Sequence, residues 1–194
     1  MSYGGDVTRV KVVIGDITTQ QVDAIGNAAN SSLLGGGGVD GAIHAAAGPA
    51  LLAQCREVRR TAYPDGLPVG YAVVTGAGSL PCRWVVHTVG PNWHRGERDE
   101  ADLVSCFRES ALAAAAVGAR SVALPAVSAG VYGWAGPTVA RCAAQGVAEA
   151  LDRLTEAGGD GGSHLELVRF VLFNEPLRVA FEAAVTSHPR LNPD

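Results

Sequence analysis

Two patterns alternate along this chain. Short apolar runs rich in Val and Ile recur between longer Ala-rich stretches whose apolar positions repeat at helical spacing. That alternation is the signature of an α/β protein with a largely parallel sheet. Strands are predicted near Arg9–Ile14, Ala24–Asn27, Tyr71–Thr75, Trp84–Val89, Ser121–Leu124 and Leu167–Leu172. Helices are predicted at Val39–Ala47, Pro49–Arg60, Ala101–Val117, Pro137–Ala157 and Pro176–Ser187, three of them opening on a proline, which suits a first helical turn. With helices between the strands, both faces of the sheet would be covered. Gly158 to Ser163 holds four glycines and reads as a flexible loop before the last strand.

A chain of 194 residues is long enough for one domain with a sizeable core, and too short for two comfortable ones. Residues 1–8 read as a short lead, 9–187 as the single domain, and 188–194, with two prolines, as a tail expected to fray. Hydrophobic residues make up 47% and charged residues 18%, which excludes disorder over most of the length. Nineteen acidic against fifteen basic residues, with no Lys/Arg stripe, argue against long nucleic acid as the main ligand. Cys55, Cys82, Cys106 and Cys142 are isolated, have no His at zinc spacing, and read as reduced core or helix residues. No signal-peptide pattern opens the chain and no apolar run approaches the roughly 20 residues that span a bilayer. A cytoplasmic protein without membrane contact is expected, and with no heptad seam, a monomer.

The strongest local signal is Asn27-Ala-Ala-Asn30, followed by the four glycines Gly35 to Gly38, then Val39, Asp40, Gly41, Ala42, Ile43 and His44. It runs from a strand end into a helix. Glycines let the backbone approach a ligand closely, and a helix start offers unpaired N–H groups and a positive dipole end, a combination suited to a diphosphate. Taken alone, the run is equally compatible with a flexible connection. A second loop, Ser128-Ala-Gly-Val-Tyr-Gly-Trp134, also follows a strand and precedes a helix, where ligands bind in open α/β sheets. Two such loops would clamp one diphosphate.

With these pieces in order, the sequence resembles the macrodomain family, and within it the MacroD-type branch that hydrolyses mono-ADP-ribose esters and O-acetyl-ADP-ribose. The matching segments are Gly15-Asp-Ile-Thr18, Asn27 to Asn30 with Gly35 to His44, Val86-His-Thr-Val-Gly-Pro91, and Ser128 to Gly133. The resemblance implies a three-layer α/β/α sandwich with a central mixed, mostly parallel six-stranded sheet. It implies ADP-ribose, O-acetyl-ADP-ribose or mono-ADP-ribosylated proteins as partners, nucleic acid only as an ADP-ribosylated substrate, and neither cofactor nor metal.

By position, Asp16 resembles the acidic residue that accepts a hydrogen bond from the adenine amino group, which a carboxylate can do. Its competing reading is a turn or cap residue after a strand. Asn30 resembles the residue that bonds the distal ribose, whereas Asn27 reads as structural, tying the strand end to the loop. Phe173 sits where the family stacks an aromatic ring on adenine, against a competing reading of ordinary core packing. Ile17, Gly37, Gly38 and Val39 on one side, and Ser128, Ala129, Gly130, Val131 and Tyr132 on the other, are the remaining expected ligand contacts. Tyr132 and Trp134 would close over the distal ribose or pack the loop down.

Asp40 is the expected catalytic residue, together with Asn30, although an acidic side chain also stabilises a helix start. The resemblance implies a water held between Asp40 and a substrate phosphate, attacking the ester or the adjacent anomeric carbon. His87 reads as a satisfied sheet residue, His44 as helix packing and His94 as exposed. Three places in the chain depart from the family pattern. Gly26 replaces a branched residue, which bears on the packing of its strand; Ala129 replaces a Thr; and Trp134-Ala135 replaces an aromatic-Pro pair. A non-catalytic ADP-ribose reader and an ADP-ribose-1''-phosphate phosphatase remain as alternatives. A dinucleotide oxidoreductase is disfavoured, because no G-x-G-x-x-G follows the first strand.

Overall fold

The protein is described from a computed structural model covering residues 7–157 and 164–192. Six strands form one sheet: β1 (Arg9–Ile14), β2 (Ala24–Ala29), β3 (Ala72–Gly76), β4 (Trp84–Val89), β5 (Ser121–Leu124) and β6 (Leu167–Leu172). Their order is β1-β6-β5-β2-β4-β3, and only the β3–β4 pairing is antiparallel. The helices are α1 (Gly38–Ala47), α2 (Pro49–Thr61), α3 (Glu100–Ala116), α4 (Gly136–Ala157) and α5 (Glu175–Ser187). This is the expected three-layer α/β/α arrangement of a mixed, mostly parallel six-stranded sheet.

Side chains alternate across each strand, so the sheet feeds two separate cores. One face sends Ile25, Ala29, Val85, Val89, Ala123 and Val171 against Ile43 and Leu51 of α1 and α2. The other sends Val86, Val122, Leu124, Val168 and Phe170 against α3, α4 and α5, where Phe107, Phe170 and Phe181 meet edge to face. α3 and α4 approach closely because position 146 is glycine. A Cβ there would lie 2.4 Å from the Val104 carbonyl.

Element boundaries follow their caps. α3 opens at Glu100 because the Asp99 carboxylate accepts from the Ala101 N–H at 2.9 Å. α5 opens one residue before Pro176 because the Asn174 side chain accepts from Leu177 N–H at 2.9 Å. Two short 3₁₀ turns, Ile17–Thr19 and Trp93–Arg95, lie outside the predicted elements. β2 extends two residues past its predicted end, so Asn27 lies within the strand rather than at its exit. The glycine-rich loop expected at 158–163 lies outside the described residues. The tail, expected to fray, is instead packed as far as it is described. Leu191 is buried, and Arg190 pairs with Asp152 at 2.7 Å.

At Gly26 the departure from a branched residue has a local explanation. A Cβ would stand 2.9 Å from a Leu124 methyl and 3.1 Å from the Pro125 ring, so β5 fills the space that a side chain on β2 would need. Gly26→Val is expected to lower stability by about 1–3 kcal/mol through overpacking. Adding Leu124→Ala should recover part of the loss in thermal unfolding, and simple additivity of the two changes would refute this account.

Candidate functional site

The carboxyl ends of the central parallel strands open into a cleft of about 700 Å³. β1 delivers Gly15, Asp16 and Ile17, and β2 delivers Ala28, Ala29 and Asn30. The start of α1 supplies Gly36 to Asp40, the chain after β5 supplies Pro125 to Ser128 and Gly130 to Tyr132, and the end of β6 supplies Phe173. Ligands gather at this end of such sheets because adjacent loops diverge there.

The glycine run is shaped by two requirements. Gly35 and Gly38 have φ of +94° and +58°, a region costly for other residues. At Gly36 a Cβ would sit 3.1 Å from Asp40 Oδ2 and 3.2 Å from Asn30 Nδ2, so these two polar atoms border the same small volume. Gly37, which caps α1 without a side chain, and Gly38 both face open space. The first N–H groups of α1 therefore meet the cleft unshielded. Opposite, Val127, Ala129, Gly133 and Trp134 donate their N–H groups within the second loop. The N–H groups of Gly130, Val131 and Tyr132 have no such partner and remain available to an acceptor.

Asp40 stands in the first turn of α1, yet is only 4% exposed. Its Oδ1 accepts from Asn27 Nδ2 at 2.8 Å and lies 3.5 Å from His44 Nε2, while Oδ2 has no protein partner. Burial raises its pKa above the usual carboxylate value, and the Asn27 hydrogen bond and the nearby His44 oppose that rise. Oδ2 is buried just behind Gly36, so the carboxylate has one tethered oxygen and one acceptor left unpaired by the protein beside the cleft, as a group that orients a water or hydroxyl requires.

Asn30 is tied into its own loop. Its amide N–H donates to the Gly35 carbonyl at 3.0 Å, and its carbonyl accepts from the Ser32 N–H at 3.0 Å and from the Ser32 hydroxyl. Asp16 caps the first 3₁₀ turn, accepting on Oδ1 from the Thr18 N–H at 2.8 Å and hydroxyl at 2.6 Å, which lowers its pKa. The cap reading of Asp16 is thus realised, and the residue still lines the cleft. Phe173 is 58% exposed on the cleft wall, which rules out core packing for it. Ser128, with φ of +66°, holds a buried hydroxyl without a partner, a strained conformation of the kind that collects at binding sites.

Two aromatic residues divide their roles. Tyr132 lines the cleft, whereas Trp134 is buried in the core and packs edge to face on Trp93 at 5.2 Å, holding the loop down. Ala129 is off the cleft wall. It donates to the Ala126 carbonyl at 3.2 Å and packs toward the α3/α4 core. His94 is exposed and lies against Gly133. Pro125, Ala126, Val127 and Gly90 were missed from sequence, although their places just after β5 and β4 mark the carboxyl ends of neighbouring strands. Among the described residues, no group of three or more His, Cys, Asp or Glu side chains is placed to hold a metal ion, and no helix is long and apolar enough to cross a membrane.

Comparison with known proteins agrees with this geometry. The family model described as "Macro domain" matches residues 26–143. This chain is a macro domain. It is 53% identical over 174 residues to a macro domain-containing protein of Streptomyces griseus, covering 89% of this chain and 92% of the relative. It is 48% identical over 180 residues to a Klebsiella pneumoniae protein named O-acetyl-ADP-ribose deacetylase, covering 92% of this chain and 97% of the relative. The Oceanobacillus iheyensis macrodomain solved with ADP superposes with a TM-score of 0.82 at 35% identity, covering 96% and 94% of the two chains.

Beneath Asp40, this macro domain buries His87, which is 0% exposed. Burial, aided by His44, lowers its pKa from 6.5 to about 3, so it is neutral in the folded protein at ordinary pH. As pH falls from 6.5 toward 3 the unfolded chain takes up a proton at position 87 that the folded chain refuses. Stability from this group therefore falls with pH, by up to about 1.4 kcal/mol per unit. Asp40 has the opposite sign: above 3.8 and up to its raised value the folded chain is the better proton binder, offsetting part of the slope there. Urea unfolding across this range should show the slope in the wild type, and a shallower one in His87→Leu. Equal slopes would contradict a neutral buried imidazole.

Proposed function

We propose that the cleft binds ADP-ribose and that the protein hydrolyses an ester at the distal ribose, releasing an acetyl group or a protein carboxylate. The observation that carries this reading is a buried Asp40 carboxylate at the cleft's lining whose Oδ2 has no protein partner and lies just behind Gly36, beside the unshielded start of α1. The deacetylase name of the Klebsiella relative and the ADP held by the Oceanobacillus macrodomain support the same ligand class.

In this reading the adenine lies on Phe173 with its amino group toward Asp16. Ile17 lines that end of the cleft. The diphosphate lies between the N–H groups of Gly37 to Val39 and those of Gly130 to Tyr132, both sets fixed before the ligand arrives. The distal ribose then reaches Asn30 and Asp40. A water held between Asp40 and a substrate phosphate oxygen attacks the ester carbonyl carbon. Its proton passes to Asp40, the bond from the carbonyl carbon to the ribosyl oxygen breaks, and Asp40 returns that proton to the departing ribosyl oxygen, so that the carboxylic acid and the free hydroxyl are released and Asp40 is ionised again. The substrate's own phosphate thus supplies half of the water's hold. A carboxylate with a raised pKa is a better proton acceptor than an ordinary one.

Asp40→Ala is expected to lower kcat on O-acetyl-ADP-ribose and on a Glu-linked mono-ADP-ribosylated protein by roughly 10²–10⁴-fold. Its Kd for ADP-ribose, read by calorimetry, should stay within a few-fold of wild type. A wild type that binds ADP-ribose and releases nothing from either substrate would instead be a reader, and one that does not bind at all would refute the ligand itself. Phe173→Ala should weaken ADP-ribose binding by about 1–3 kcal/mol, roughly ten- to hundredfold, from the lost face of the adenine stack. An unchanged Kd would remove Phe173 from the adenine site.

A further inference from the structure

Beneath the cleft, a line of buried polar side chains runs from α1 across two strands to the edge of the sheet. Asn27, His87 and Thr75 stand on the face covered by α1 and α2, with Asn27 and His87 as register partners of β2 and β4. All three are buried, at 0%, 0% and 5% exposure. Asn27 Nδ2 lies 2.8 Å from Asp40 Oδ1 and 3.1 Å from His87 Nδ1. His87 Nε2 lies 2.9 Å from Thr75 Oγ1, and the Thr75 hydroxyl donates to the Gly76 carbonyl at 3.0 Å.

The carboxylate end sets the protons along this line. A carboxylate can only accept, so Asn27 turns its NH₂ toward Asp40, and the same NH₂ then meets His87 Nδ1, which must present a lone pair. The neutral His87 therefore carries its proton on Nε2, which faces Thr75 Oγ1 at 2.9 Å and Cys55 Sγ at 3.7 Å, and the Thr75 hydroxyl is left to donate to the Gly76 carbonyl. One amide group therefore links the carboxylate to the imidazole.

We propose that Asn27, His87 and Thr75 form a tautomer-locked relay of positioning residues that keeps Asp40 ionised and holds its carboxylate in place behind Gly36 at the edge of the cleft. The role rests on the reading of Asp40 as the group that acts on water. The titratable groups facing Asp40 are His44 on its own helix, His87 on β4 and Cys55 on α2, whose thiol is pushed up to about 11 by burial and by Asp40 itself. Asp16, on the 3₁₀ turn that also packs against α1, is exposed and engaged with Thr18. His87 cannot supply positive charge here. It acts through the direction of a lone pair, and Asn27 alone among these groups stabilises the anion by a 2.8 Å hydrogen bond.

Three measurements test the relay. Nitrogen-15 NMR of the wild type should find His87 as the Nε2–H tautomer and neutral down to pH 4; an Nδ1–H tautomer overturns the proposal. Carbon-13 titration of the Asp40 carboxyl should show its pKa raised by about one unit or more in His87→Leu, which leaves the Asn27 amide unanchored. In His87→Asn, whose side-chain carbonyl restores an acceptor near the Nδ1 position, the value should return toward wild type. An Asp40 titration indifferent to both changes overturns it as well.

On O-acetyl-ADP-ribose, His87→Leu and Thr75→Val should lower kcat about tenfold with KM nearly unchanged, and shift the acid limb of the rate profile upward. A loss confined to KM, or an unmoved acid limb, refutes the positioning role. The NMR readouts use no substrate. A chain that hydrolyses nothing would therefore remove the enzymatic reading while leaving the relay to stand or fall on its own.

Discussion

Burying the Asp40 carboxylate at the head of α1 is the constraint around which this end of the molecule is arranged. A charge out of water is costly unless it is met by donors. Here one donor comes from inside the sheet, the Asn27 amide at 2.8 Å, and the helix start adds its dipole. The Asn27 amide must itself be held, which calls for a lone pair on β4 and hence for a neutral His87. A lysine or a protonated histidine at that place would compete for the carboxylate and leave the amide unanchored.

The same constraint explains the glycines. Gly36 is small because Asp40 Oδ2 and Asn30 Nδ2 converge where its Cβ would be, and Gly35 and Gly38 take left-handed backbone to bring the chain from β2 back over the cleft. Asn30 spends much of its amide on holding this loop closed. The opposite wall is built differently. Its backbone is pinned from behind by Trp134 on Trp93 and by the Trp93 N–H on the Tyr132 carbonyl, which leaves the N–H groups of Gly130 to Tyr132 turned free. Loss of a Thr at position 129 costs the cleft no hydroxyl, because residue 129 faces the core.

Stability and site are only loosely separated in this fold. The core against α3, α4 and α5 holds only the isolated buried hydroxyls of Thr88 and Ser110, whereas the core under α1 and α2 carries the connected polar line Asn27–His87–Thr75 through its centre. Partly satisfied buried networks are expensive, and here Asn27 Oδ1 has no protein partner. Such a feature is retained at a site more readily than in a core whose only task is to hold together.

The sequence alone determined the six strands and five helices, because each carries its own periodicity and several carry their own caps or prolines. It also determined which segments would meet at the cleft, since in a parallel sheet every strand's carboxyl end lies on one side. Tertiary structure decided what each polar residue does there. Asn27 falls inside β2 rather than at its end, so its amide points into the sheet; strand length is set by pairing with β4, which the local sequence does not contain. Asp16 is both cap and cleft residue, and Phe173 is exposed rather than buried, because the loops around them close from distant parts of the chain. The partnership of Asp40, Asn27, His87 and Thr75 spans helix and three strands, and no spacing along the chain records it: hydrogen bonds are fixed by position in space, which only the packed sheet supplies.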